Sequence, residues 1–257
     1  EEVKGVCSEC LFNLVRYDAT RPQLLCEPNN VLWAISRLFR FCVESERTQR
    51  IGALVVYNLS CNEDTASTLM KTINASETLA AVAEHAETDS KLWAAAALCN
   101  MSWTAEFAAQ LVLDASVSRS QSENGYYGIV RVFRTLAEAE LHEPMAATIK
   151  TQCEIALYYM SQCSEEVCER LIDDGVTVFT ELLLADSDEQ LVELACIVCF
   201  NISNVSGCEA AMVDYQVAAS LLKLIRQFIP SSEEDGARPG SWNSLQFLRQ
   251  ARVSIFA

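Results

Sequence analysis

Tyr57-Asn58-Leu59-Ser60, Cys99-Asn100-Met101-Ser102 and Phe200-Asn201-Ile202-Ser203 are three copies of one phrase, and looser copies stand at Phe12-Asn13-Leu14 and Tyr158-Tyr159-Met160-Ser161. Aligned on positions 13, 58, 100, 159 and 201, the copies are 45, 42, 59 and 42 residues apart. A step near 42 residues falls in the range of stacked helical repeats, where each unit buries its apolar face against its neighbours. Ten residues after the phrase serines stand Met70, Val112, Leu171 and Val213, each expected to close a short amphipathic segment. The chain has only 8 Gly and 5 Pro in 257 residues, few turns for an all-β fold, while its Ala-, Leu- and Glu-rich runs favour helix.

The stretch between Ser161 and Ser203 reads as three helices. A short one over 165–173 is stopped by Asp174-Gly175, as a C-terminal glycine does. A second covers 176–184. Asp186-Ser187-Asp188 then caps a third over 189–202, in which Leu191, Leu194, Ala195, Val198 and Ile202 follow the spacing of a buried helical face. A third helix is likewise expected over 3–15, and another over 242–257. The long 59-residue step places about 17 extra residues in a polar, serine-rich loop over 114–125, and a second polar stretch covers 230–241. Because terminal units of a free array need polar caps, the chain is expected to be one solenoid over 1–257 and a segment of a longer array.

Phrase, spacing and three-helix unit together resemble the armadillo repeat family, of the β-catenin and importin-α type. The resemblance covers nearly the whole chain and implies an all-α, right-handed superhelical solenoid of about five three-helix repeats, some partial. In that family the third helices stack side by side and line a concave groove, and an Asn of each can hold the backbone of an extended peptide. By resemblance, Asn13, Asn58, Asn100 and Asn201 are the groove asparagines; Tyr159 interrupts their row. Asparagine suits this work because it offers both a donor and an acceptor, whatever side chains the peptide carries. The same residue can instead bond the neighbouring repeat and lock the stack, and the sequence leaves both roles open. Trp103, three residues after Asn100, is a candidate aromatic anchor at the groove edge or a packing residue.

Importin-α members add a Trp four residues before the Asn, to clamp lysine stems. The equivalent positions here are Glu9, Leu54, Ala96, Ile155 and Ile197, which speaks against a karyopherin-like transport adaptor. Arg47, Arg50, Lys91 and Lys150, near the starts of third helices, are too scattered for a continuous basic stripe.

Net charge is −16, with residues 1–60 balanced and the excess acid confined to the remainder. That surface repels phosphate backbones, so no nucleic-acid partner is expected, and it favours a basic segment among protein partners. Twelve cysteines and five N-x-S sequons suggest secretion at first sight. Three of the sequons are the repeat phrase itself, inside helices, and the cysteines sit among alanines and leucines as small buried residues. A reducing, cytoplasmic compartment is expected, with cilium or cytoskeleton as open settings. No signal peptide opens the chain, and no apolar run reaches the roughly 18 residues of a membrane span.

Chemistry finds little footing. His85 and His142 are far apart, and phosphate-binding glycine loops are absent. The pairs Cys7/Cys10 and Cys196/Cys199 lie in third helices several repeats apart, where a solenoid does not fold them into one zinc site, and both are expected to be core thiols. No catalytic residue, metal or cofactor is therefore expected. The leading reading is a noncatalytic protein-binding scaffold within a larger assembly. The alternative is a regulatory array attached to an enzyme or motor.

Overall fold

In the computed structural model the described residues are 2–17, 19–25, 34, 45–71, 83, 88–114, 128–139, 143–184, 186, 188–214 and 217–228. They form thirteen helices and no strand: α1 (Glu2–Val15), α2 (Arg21–Leu25), α3 (Glu46–Ser60), α4 (Glu63–Lys71), α5 (Thr88–Met101), α6 (Ala105–Asp114), α7 (Ile129–Ala137), α8 (Glu143–Met160), α9 (Glu165–Asp173), α10 (Val176–Leu184), α11 (Glu189–Ser203), α12 (Cys208–Asp214) and α13 (Val217–Phe228).

Local chemistry sets several of their ends. The Ser164 side chain accepts from the Val167 N–H to start α9, and Asp188 accepts from Gln190 N at 2.9 Å to start α11. Between α9 and α10 the chain turns at Gly175, whose φ of +88° lies in the left-handed region that glycine enters without a Cβ clash.

Tertiary packing arranges the helices in three rows. The phrase-bearing helices α1, α3, α5, α8 and α11 pack each on the next. The short helices α2, α4, α6, α9 and α12 form a second row in the same order, and α7, α10 and α13 a third. This is the repeat reading made physical, since helices about 42 residues apart become neighbours. Of the loop expected over 114–125, Asp114 ends α6 and the rest lies outside the described residues, as do 230–241, 242–257, His85 and His142.

One core runs between the rows. Leu59, Leu98, Leu136, Met160, Leu171 and Phe179 are buried in it, and each large apolar side chain so buried contributes about 1.5–3 kcal/mol. A helix inside a row is packed on both flanks, so α5 tolerates only small residues over much of its surface. Ala94, Ala95 and Ala97 are all buried there. The row of α7 meets the short-helix row at a close approach: a Cβ on Gly128, which caps α7, would lie 2.1 Å from Cγ of Asp174, the residue that ends α9. The Asp174 carboxylate thus sits near the positive end of the α7 dipole. Arg170 lies 3.5 Å from it, and burial pushes its carboxyl above the usual range.

One expectation is corrected. Cys7 and Cys10 are exposed rather than core thiols, because among the described third helices α1 has a neighbour, α3, on one flank only. Val213 stands near the end of α12 as expected, and Met212 beside it takes the inward position. Cys199 is buried and Cys196 half-buried.

Candidate functional site

The third-helix row carries every candidate residue but Trp103, which stands in the turn just after α5, and the structure gives them different surroundings. Asn13 on α1 is exposed. Asn58 on α3 is half-buried and donates from Nδ2 to the Leu54 carbonyl of its own helix at 2.8 Å. Asn100 on α5 reaches back one unit, donating to Oγ of Ser60 at 3.1 Å, with Sγ of Cys61 at 3.6 Å. Asn201 on α11 repeats this with Oγ of Ser161 at 2.9 Å.

The phrase serine explains the geometry. Ser60 Oγ donates to the Tyr57 carbonyl at 2.7 Å and Ser161 Oγ to the Tyr158 carbonyl at 2.8 Å. With its proton so placed, each hydroxyl presents a lone pair toward the next unit, where the Asn amide finds it. The result is a two-bond relay from an Asn, through the Ser of the preceding repeat, to a backbone carbonyl. One N–H per asparagine is used this way; at half-buried Asn201 the second N–H and the carbonyl oxygen remain for other partners. In Asn100 that oxygen is buried with no hydrogen-bond partner.

Tyr159 breaks the relay. It stands half-buried on α8, edge-on to Trp103 with ring centroids 6.3 Å apart, and at 5.2 Å from the Tyr158 ring. The structure thus brings together Trp103 and Tyr159, from two repeats, at the place where an Asn–Ser bond stands elsewhere. Beneath them Cys99, Ile155 and Leu194 make a small apolar cluster across α5, α8 and α11. A second aromatic pair, Tyr57 with Trp93 at 4.9 Å, bridges α3 and α5. Burial, the Cys61 thiol's charge and its hydrogen bond push the Tyr57 phenol up to about 12. Sequence reasoning missed this pair, although both aromatics lie in third helices.

Three of the basic residues near the third-helix starts are engaged by the neighbouring unit. Arg47 pairs with Glu9, Arg50 with Asp89 at 3.2 Å, and Lys150 with Asp186 at 2.7 Å. The first two pairs are exposed and contribute little stability, and the third is partly buried; all three neutralise these positions of the row.

Activated nucleophiles are not found among the described thiols. Burial raises Cys99 and Cys199 to about 12 and Cys168 to about 11, which keeps them protonated and inert. Among the described residues no group of three or more metal-ligating side chains converges, and no helix is long and apolar enough to cross a membrane.

Comparison with known proteins agrees with the architecture. The chain is similar to computationally designed armadillo repeat proteins for modular peptide recognition, at 17% identity over 97% of this chain and 92% of that one, with a TM-score of 0.62. It is also similar to a designed armadillo repeat protein in complex with the peptide (KR)4, at 16% identity over 97% and 91% of the two chains, with a TM-score of 0.60. An engineered protein matches at 17% identity over 99% and 93%, also with a TM-score of 0.60. No family profile matches the chain, and no curated protein matches it significantly. The chain has an armadillo-type repeat fold, an all-α solenoid.

Proposed function

We propose that this chain is a noncatalytic scaffold that binds an extended segment of a protein partner along its third-helix row. The observation that carries the reading is the unbroken row of five third helices, which sets Asn13, Asn58, Asn100, Tyr159 and Asn201 in successive register with Trp103 beside Tyr159. Asn13 and Asn58 have amides not tied to another repeat by any bond described above, and they are the first choice for main-chain contacts. At Asn201, which is half-buried, the serine bond orients the amide and its remaining donor and acceptor, whereas Asn100 is buried and serves the stack rather than a ligand. Trp103 and Tyr159 supply an aromatic subsite where the polar row is interrupted. Two of the similar structures are described as recognising or holding peptides, which supports the same use here. The net charge of −16 favours a basic segment. Membership of a larger assembly in a cytoplasmic, cytoskeletal or ciliary setting is part of the same proposal.

The test is selection of peptides from a displayed library on the purified chain, with (KR)4 as an additional probe. Affinities are measured by fluorescence anisotropy for wild type, Asn13→Ala/Asn58→Ala, Trp103→Ala and a first-helix control, Glu106→Ala. The expected result is at least tenfold weaker binding for Asn13→Ala/Asn58→Ala and for Trp103→Ala, and unchanged binding for the control. Equal affinity in all four proteins overturns the reading.

A further inference from the structure

Five residues before the centre of each phrase, the third helices carry Ser8, Ala53, Ala95, Glu154 and Cys196. Four of these are small, as a position wedged between stacked helices requires. Glu154 is the exception. It is 0% exposed on α8, and neither carboxyl oxygen has a hydrogen-bond partner.

No cation hydrogen-bonds its carboxyl group. The Asp186 and Asp188 carboxylates, just before α11, act on it from the next unit, and the Cys196 and Cys199 thiols of α11 feel its charge. On α8 itself Cys153 is adjacent in sequence, and the Cys99 thiol of α5 acts on Cys153 from the other flank. Lys150 lies one turn earlier on α8, but its Nζ is bound to Asp186 at 2.7 Å. An unpaired buried carboxylate facing two others is strongly unfavourable, whereas a neutral carboxylic acid costs only a missing hydrogen bond.

We propose that the packing of α11 on α8 is a pH-sensitive joint of the solenoid: it stays closed while Glu154 holds its proton and opens, to let water reach the carboxylate, when that proton leaves. Opening there separates the units carrying α9 to α13 from those before them and breaks the Asn201–Ser161 bond, which lies in the same seam. The joint is independent of what, if anything, binds along the row.

Burial, then the two aspartates, raise the Glu154 carboxyl well above its ordinary 4.5. Below the ordinary value both folded and unfolded chains hold the proton, and the group is neutral to stability. As pH rises the unfolded chain loses the proton first, so the fold weakens, and the loss continues until pH passes the folded value. Over that window one retained proton changes the opening equilibrium by about tenfold per pH unit.

The experiment compares the full chain with Glu154→Gln and with Glu154→Ala, the latter restoring the residue of the α3 and α5 registers. Urea unfolding and amide hydrogen exchange are followed at pH 5, 6, 7 and 8, always as a ratio of wild type to variant at the same pH. Intrinsic exchange chemistry and the other acidic groups cancel in that ratio. The expected result is a ratio that climbs with pH for amides of α8 and α11 and stays level for α1 and α3. A ratio that is flat in α8 and α11, or a pH dependence that both variants retain, overturns the proposal.

Discussion

Removing Ser60 should weaken the solenoid by an amount that depends on Asn100, and a double-mutant cycle measures the dependence. In the folded chain Ser60 Oγ accepts from Asn100 Nδ2 at 3.1 Å while donating to the Tyr57 carbonyl at 2.7 Å. Asn100 is 7% exposed, so water has little access to replace the lost acceptor. After Ser60→Ala the nearest remaining acceptor is Cys61 Sγ at 3.6 Å, which is weak. Leaving a buried donor in that state costs about 1–3 kcal/mol. Asn100→Ala removes the donor together with an oxygen that already lacks a partner, so its cost is smaller per polar atom lost, and Ser60→Ala on that background should cost much less. The expected coupling is about 0.5–1.5 kcal/mol. Equilibrium urea unfolding of the four proteins, followed by far-ultraviolet circular dichroism with the m-value checked for constancy, provides the numbers. Ser161 with Asn201, where the asparagine is only half-buried, should give a smaller coupling by the same procedure. A coupling below about 0.3 kcal/mol for Ser60 and Asn100, within the scatter of additive sites, refutes the relay as a stabilising device.

Three further outcomes are expected. Asp188→Ala deletes the cap that accepts from Gln190 N at 2.9 Å and should lower stability by about 1 kcal/mol in urea melts, with Asp188→Asn recovering most of it. Gly128→Ala drives a methyl group to 2.1 Å from the Asp174 carboxyl, whose side chain is buried in the seam of α7 and α9, and should cost about 1–3 kcal/mol; Asp174→Ala in the same chain should relieve the clash, as read by thermal melts. Phe133→Ala on α7 empties a fully buried site and should cost about 3–5 kcal/mol, with no change in far-ultraviolet signal per folded molecule.

Much of the architecture was legible in the residues because its determinants are local or periodic. Helices α9, α10 and α11 fall within a residue of the spans expected from Gly175, Asp188 and the spacing of Leu191, Leu194 and Val198. The stacking order follows from the step near 42 residues alone. The exposed thiols Cys7 and Cys10 were read as core, since a helix with one packed flank and a helix with two carry similar local sequence. The candidate site was legible as a list of positions, Asn13, Asn58, Asn100, Tyr159 and Asn201, but not as a set of bonds. The recurrence of serine at the end of the phrase was the available signal for the relay, and it could not say which group each hydroxyl would meet.

By itself, then, the sequence determined that this chain forms short and long helices in a repeating order, because capping, helix propensity and apolar spacing act over a few residues. Only the tertiary structure decided that Asn100 and Asn201 bond the preceding unit while Asn58 bonds its own helix, and that Trp103 meets Tyr159 across a repeat junction. It alone buried Glu154 without a partner, in a register that the other repeats fill with small side chains. The physical reason is distance along the chain. Residues some 40 apart meet only once the helices stack, and hydrogen bonding and desolvation are then settled by packing at each seam.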